Sequence, residues 1–430
     1  MPHSIEIMAA VVFGLAVLHT FCVSLFARVA ARGGRHAGLW HWLGEVESVF
    51  GMWAAALILA IAAFASGSVA LAYLESRNFV EPMFVFAVMV VAASRPITQS
   101  VIVLARGIAR LLPVRDEVGL FWITLAGVPL MGSLVTEPAA MTLAALMLRD
   151  TFFQRPSTAW QKTFVLAVLL VNVSIGGVLT AYAAPPVLMV ANVFGWDSAF
   201  MMSEFGWRAA VAVMINATVV TWIVRRCLFQ AGTGTSKADS SAAPATGEPR
   251  RAPVPVAVVA VHLAFLAGIV VFAHHPVVFM ALVLFFVGYT QAYSQHQDRL
   301  MIREGLMVAF FLAGLVVLGG LQQWWLQDAL GGLSPIALFW GAAALTAVTD
   351  NAALTYLGAQ VTGTSEAWRY MLVAGAVTGG GLTVIANAPN PAAFAILKGR
   401  FDNGAIPAGR LLACALGPTL VAAGMFLLPV

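Results

Sequence analysis

The sequence predicts an all-α polytopic membrane protein, an inverted repeat with about ten full spans, two re-entrant helical hairpins and two discontinuous transmembrane helices. Three observations predict it. Of 430 residues, 61% are hydrophobic and 10% charged, against roughly 25% charged in soluble domains. Two long apolar runs hold a single charge each: Glu137 between Val118 and Leu148, and Asp350 between Ala329 and Ser365. Two further runs, Thr163–Asn192 and Tyr370–Leu397, are interrupted by glycines and prolines at matching places.

The elements follow in order. Ile7–Ala27 is long enough to span, and no positive n-region precedes it, so it stays as a first membrane helix. It ends at Arg28, Arg32 and Arg35, which puts that end in the cytoplasm and the N-terminus outside. Ser48–Ser66 returns outward and Phe79–Ser94 comes back in. Pro96–Pro113 mixes Arg106 and Arg110 with Ile102, Ile108 and Leu111, the pattern of a helix lying in the interface. Val118–Leu148 is too long for one helix, is broken by Pro129, Gly132 and Pro138, and is charged at both ends. A re-entrant hairpin from the cytoplasmic side, its tip near Gly132–Glu137, fits both facts; irregular backbone at that depth needs surrounding protein or a wet cavity. The broken span Thr163–Asn192, an acidic external loop (Gly195–Gly206) and Trp207–Leu228 complete residues 1–228. Residues 229–253 are a flexible cytoplasmic linker, its stretch Ala231–Pro253 too poor in apolar residues to fold.

Residues 254–430 repeat the plan. Val254–Ala273, Val277–Tyr293 and Gly305–Gln322 are spans, and Gln323–Ser334 is an interfacial segment. Pro335–Gln360 is a hairpin from outside, Tyr370–Leu397 a broken span, and Arg410–Pro429 the last span. Of 23 Lys and Arg, 20 fall in segments placed inside; Arg77, Arg208 and Arg369 do not. The net charge of +4 is therefore a topology signal, not a nucleic-acid footprint. GGVLTAYAAPP (Gly176–Pro186) matches GGGLTVIANAP (Gly379–Pro389), and Thr-Glu-Pro-Ala-Ala matches Thr-Asp-Asn-Ala-Ala.

A charge held at the bilayer centre costs about 2.5–3.5 kcal/mol on insertion scales. Glu137 and Asp350 are thus candidates to bind a cation or proton. Either can cap a half-helix, with Thr136 or Glu137 capping the one that opens on Pro138 and Asp350 the one beginning at Asn351. Capping alone would need only Thr136 and Thr349. Gly176, Gly177, Pro185, Pro186, Gly379, Gly380, Gly381, Pro389 and Pro391 mark hinges or unwound backbone. The prolines free carbonyls at Ala181, Tyr182, Ile385 and Asn387. Thr136, Thr349, Asn351, Asn172, Ser174, Thr180, Thr383, Asn387 and Asn390 supply lining oxygens, and Na⁺ is the metal such a set would take. His19 and His262 read as interhelical hydrogen-bonding residues. Cys22, Cys227 and Cys414 form neither a disulfide framework nor a metal motif. No nucleophile–base set is present, so no enzyme and no cofactor is expected beyond Na⁺ and H⁺ as transported or coupling ions.

GSLVTEPAAMT, SIGGVLTAYAAPPVLM, VTDNAAL and GGGLTVIANAPNPAAF resemble the putative Na⁺/H⁺ antiporter family of bacterial membrane proteins. That family is similar to a wider superfamily of arsenite permeases, sodium–proton antiporters and divalent-anion/sodium symporters. The resemblance covers both halves and excludes the linker. It implies two hairpins, two unwound helices, a scaffold subdomain that forms a homodimer, an elevator-like transport subdomain and the bacterial inner membrane. The divalent-anion symporters carry a neutral Ser-Asn-Thr at their hairpin tips, where this chain has carboxylates that repel anions. The expected function is exchange of Na⁺ or a similar monovalent cation for H⁺. The alternative is a Na⁺- or H⁺-coupled symporter of a small organic or inorganic anion. A channel or a non-transporting partner would not need paired broken helices.

Overall fold

The computed structural model describes residues 2–230, 254–401 and 406–429; the linker predicted at Ala231–Pro253 lies outside them. Among the described residues every regular element is helical. The first half contains α1 (His3–Ala31), α2 (Ala37–Leu43), α3 (Val46–Phe64), α4 (Gly67–Glu75), α5 (Val80–Ala92), α6 (Arg95–Leu111), α7 (Asp116–Leu125), α8 (Gly127–Val135) and α9 (Glu137–Asp150). It continues through α10 (Ala159–Gly176), α11 (Pro185–Phe194), α12 (Ser198–Phe200) and α13 (Trp207–Gln230). The second half contains α14 (Val256–Val271), α15 (Pro276–Ala292), α16 (Ile302–Gly319), α17 (Gln323–Leu330), α18 (Pro335–Thr346) and α19 (Asn351–Gly358). It ends with α20 (Glu366–Gly379), α21 (Asn390–Leu397) and α22 (Ala408–Phe426).

Among the described residues six helices are long and apolar enough to cross a membrane, or eight if two bent pairs count as spans. About ten were expected from the apolar runs. The shortfall has a geometric source: α14 and α15 have 16 and 17 residues, about 24–26 Å at 1.5 Å per residue, and the span predicted at Tyr370–Leu397 is split in two. α6 does turn away from α5, by 66°, as its amphipathic sequence requires. α2 and α4, short helices between predicted spans, were not foreseen.

Local chemistry sets the boundaries. Thr158 and Gln161 form a capping box at the start of α10, satisfying donors that have no helical acceptor. Ser66, Ser334 and Ser365 cap α4, α18 and α20. Gly195 closes α11 in the left-handed conformation, where glycine pays no Cβ penalty.

Two packed groups result. In one, α3 lies along α16, which also packs on α5, with α1, α14 and α15 around them. In the other, α18 lies along α20, α8 along α10, and α22 against α10 and α13. Within the second group the two halves of the chain cross, α11 packing on α19 and α21 on α9, and α19 meets α16 of the first group. The outside is apolar. Ile7, Val11, Leu15, Leu18 and Leu25 of α1 are exposed along one stripe, as are Val277, Leu284 and Phe285 of α15. Such surface is unfavourable in water and natural against lipid.

Candidate functional site

Two hairpins and two broken spans converge. Between α8 and α9 the chain turns on one residue, Thr136, with φ 87° and ψ 149°. It is the one non-glycine residue with positive φ among those described. That region is essentially reserved for glycine, and holding another residue there costs on the order of 1–3 kcal/mol. Thr136 occupies the N-cap position of α9 but makes no capping bond, and its buried Oγ1 has no partner in the protein. The expected cap by Thr136 is therefore absent.

Glu137 is fully buried. Its Oε2 accepts from Asn387 Nδ2 at 2.9 Å, while Oε1 has no partner in the protein. Gly177 lies against it; a Cβ there would sit 2.5 Å from Oε1, so only glycine admits the carboxylate. Hydrogen bonds hold this tip to the first broken span. Ser133 Oγ donates to Gly176 O at 2.7 Å and accepts from Leu179 N–H at 2.9 Å, and Thr180 Oγ1 donates to Ser133 O at 2.7 Å. Beyond Gly176 the backbone leaves the helix in a 3-10 turn (Gly177–Leu179) and resumes at Pro185, with Pro186 beside it in the first turn of α11.

The second tip differs in construction. Asp350, partly exposed, caps α19: its Oδ1 accepts from Ala352 N–H at 2.8 Å and Ala353 N–H at 3.2 Å. Thr349 Oγ1, just past the end of α18, donates back to Leu345 O. Asn351 is fully buried; its N–H donates to Ala386 O at 3.1 Å, and neither atom of its side-chain amide has a partner in the protein. The second unwound stretch follows Gly379. Thr383 Oγ1 donates to Ala347 O at 2.8 Å, and Asn390 Nδ2 donates to Gly380 O and Thr383 O, both at 2.8 Å. Pro389 and Pro391 flank Asn390, but the Asn387 carbonyl is not free as expected. It accepts from Asn390 N–H at 3.0 Å, because a turn leads into α21.

Where α10 meets α20, Ser174 Oγ donates to Val377 O at 2.7 Å. Gly380 lies beside Ser174 Oγ and Asn351 Nδ2, and Gly381 against Val171. Asn172 is placed elsewhere. Its Nδ2 donates to Leu125 O at 2.7 Å and Val213 O at 3.3 Å, and its Oδ1 accepts from Asn216 Nδ2 at 3.0 Å. It ties α7, α10 and α13 together, with every polar atom used. His19 and His262 likewise bond within the helical framework, to Leu43 O and Trp53, and to Val258 O and Gln297.

Buried polar atoms without a protein partner gather at the convergence: Thr136 Oγ1, Glu137 Oε1, Asn351 Nδ2 and Oδ1, Asn387 Oδ1 and Asn390 Oδ1. Each costs about 1–3 kcal/mol if left unpaired, and their concentration makes this the candidate site. Glu47, in the first turn of α3, was not singled out from the sequence; with Asp350 and Asn387 it lines a cavity of about 20 Å³. An apolar cavity of about 270 Å³, lined by Phe13, Phe50, Phe311 and Trp325, also reaches Asp350. The 710 Å³ cavity lined by parts of α15 and α16 touches none of these residues. No group of three or more His, Cys, Asp or Glu that could hold a metal ion occurs among the described residues. A cation here would be met by one or two carboxylates and by neutral oxygens.

Broken helices meeting around carboxylates, inside a chain of apolar spanning helices, define a multi-pass membrane protein of the ion-transporter class. The chain belongs to the family described as "Putative Na+/H+ antiporter", whose model matches residues 4–429. That places it among cation/proton exchangers in general. No curated protein matches the sequence.

Proposed function

We propose that the protein exchanges Na⁺, or a similar monovalent cation, for H⁺, with Glu137 and Asp350 binding either ion in competition. The observation that carries this is the Asn387–Glu137 hydrogen bond across the two halves, surrounded by unpartnered buried oxygens. A carboxylate with one oxygen held and the other unpartnered takes a proton or a cation, and not both at once. Thr136, Thr349, Asn351, Ser174, Thr180, Thr383, Asn387 and Asn390 line or shape the path; Asn172 serves the framework around it.

The inverted-repeat reading of residues 1–228 and 254–430, with its re-entrant hairpins, is supported by reciprocal packing. The end of each broken span rests on the other half's hairpin, α11 on α19 and α21 on α9. Thr180 and Thr383, at matching places in the two motifs, each bond a carbonyl of their own hairpin. Such repeats move a midplane site between the two faces by alternating access. Here the hairpins and broken spans would move, elevator-like, against the α3–α5–α16 group, which would also form the homodimer. The membrane is the bacterial inner membrane, with the N-terminus outside and the linker cytoplasmic.

The test is transport in proteoliposomes with an internal pH dye and a panel of cations. Alkalinisation of acid-loaded vesicles on adding Na⁺ supports exchange. Uptake that requires an anionic solute would establish the symporter instead, and current down a gradient without proton flux a channel.

A further inference from the structure

We propose that Glu47, contributed by α3, is a third cation ligand, completing with Asp350 and the Asn387 side-chain oxygen a site for one dehydrated monovalent cation. The proposal rests on the exchange reading above and names a ligand from the helix group opposite the hairpins.

Three residues from three separate elements face one cavity: Glu47 on α3, Asp350 at the tip before α19, and Asn387 in the unwound stretch before α21. Asn387 is fully buried. Its Nδ2 is committed to Glu137, and its Oδ1 has no partner in the protein. Asp350 spends Oδ1 on two backbone donors of its own helix, and the Ala388 backbone in the unwound stretch also bonds its carboxylate, which holds the acid at the cavity wall. The remaining wall is apolar, including Phe311, Val384 and Pro391.

Charge and size select the occupant. Neither Glu47 nor Asp350 has an ion-pair partner among the described residues. The neighbouring Glu45 is compensated, by Arg303 at 2.9 Å and His41 at 3.4 Å, but Glu47 is not. Two carboxylates beside one small cavity repel each other unless a proton or a cation lies between them. A volume of about 20 Å³ is just above the roughly 10–15 Å³ that one water needs. It admits a bare Na⁺ or Li⁺ and excludes an organic solute. Two carboxylate oxygens and an amide oxygen are the hard ligands that such ions prefer.

α3 packs along α16 and α1, away from the hairpins. A ligand from that group is present only while the second tip stands beside it. Movement of the tip would withdraw Glu47 and weaken the site.

Purified full-length protein and its Glu47→Gln and Glu47→Asp variants test this by two readouts, Na⁺-driven alkalinisation in proteoliposomes and Na⁺-dependent thermal stabilisation in detergent. Glu47→Gln should raise the Na⁺ concentration for half-maximal effect about tenfold in both, as loss of a charged ligand does. Glu47→Asp, which keeps the charge, should recover most of it. Unchanged Na⁺ dependence in Glu47→Gln would overturn the proposal, as would a wild type that Na⁺ does not stabilise. If Na⁺ stabilises the wild type but not Glu47→Gln, while neither exchanges protons, the ligand stands and the exchange reading falls.

Discussion

The two hairpin tips carry an acid at the same place and use it differently. Asp350 caps its own helix with two backbone hydrogen bonds and keeps partial access to solvent. Glu137 caps nothing, is fully buried, follows a strained residue and takes its one bond from the other half of the chain. Capping explains one oxygen of Asp350 and no part of Glu137. The comparison teaches that the burial penalty of Glu137 is not offset locally. Asn387 offsets part of it, and in the exchange reading proposed above a bound proton or cation offsets the rest.

The largest effect that would break this contrast is expected at Glu137. Glu137→Gln keeps shape and hydrogen-bonding capacity but cannot titrate, so exchange should fall to the background of empty vesicles. Stability should hold or rise, since a neutral amide is cheaper to bury than a carboxylate. Wild-type-like exchange in this variant would remove the mechanism.

Asp350 separates cap from charge. Asn is as good an N-cap as Asp, and Ala costs about 1 kcal/mol there. Asp350→Asn should therefore lose exchange at normal stability, while Asp350→Ala loses exchange and melts lower. Normal exchange in Asp350→Asn would reduce Asp350 to a cap. Asn387→Ala should come next. It removes the donor to a buried carboxylate, a loss of about 1–3 kcal/mol, seen as a lower melting temperature together with weaker cation affinity.

A smaller effect concerns pH. If proton and cation compete for the same oxygens, the Na⁺ concentration for half-maximal exchange should rise as pH falls, with the maximal rate little changed. A fall in maximal rate alone would point to separate sites. The smallest is Thr136→Gly, which relieves a conformation costing on the order of 1–3 kcal/mol and should raise the melting temperature. Thr136→Ala, which cannot relieve it, should not.

Much of this centre was legible in the sequence because membranes make exceptions expensive. One carboxylate in an apolar run, beside glycine and proline, can be placed at a broken helix without coordinates. Glu47 was not legible. It sits at the edge of its run next to Glu45, and the pair reads as ordinary loop charge; only the packing of α3 brings it to Asp350. Ser133 was equally silent, a residue whose hydroxyl and carbonyl make three bonds that join the first tip to the unwound span. Asn172 misled for the opposite reason. Polarity in an apolar span says that a partner exists, but not whether it is an ion or the Leu125 carbonyl.

The bond between Asn387 and Glu137 joins residues 250 apart in the chain. At bacterial and eukaryotic synthesis rates of about 5–20 residues per second, a ribosome needs roughly 10–50 s to travel that far. For that interval the first hairpin exists without the side chain that satisfies its acid and without α21 to cover it. The newborn first half must keep Glu137 wet or protonated until the last quarter of the chain arrives. Assembly of the second half is thus what finally closes the first.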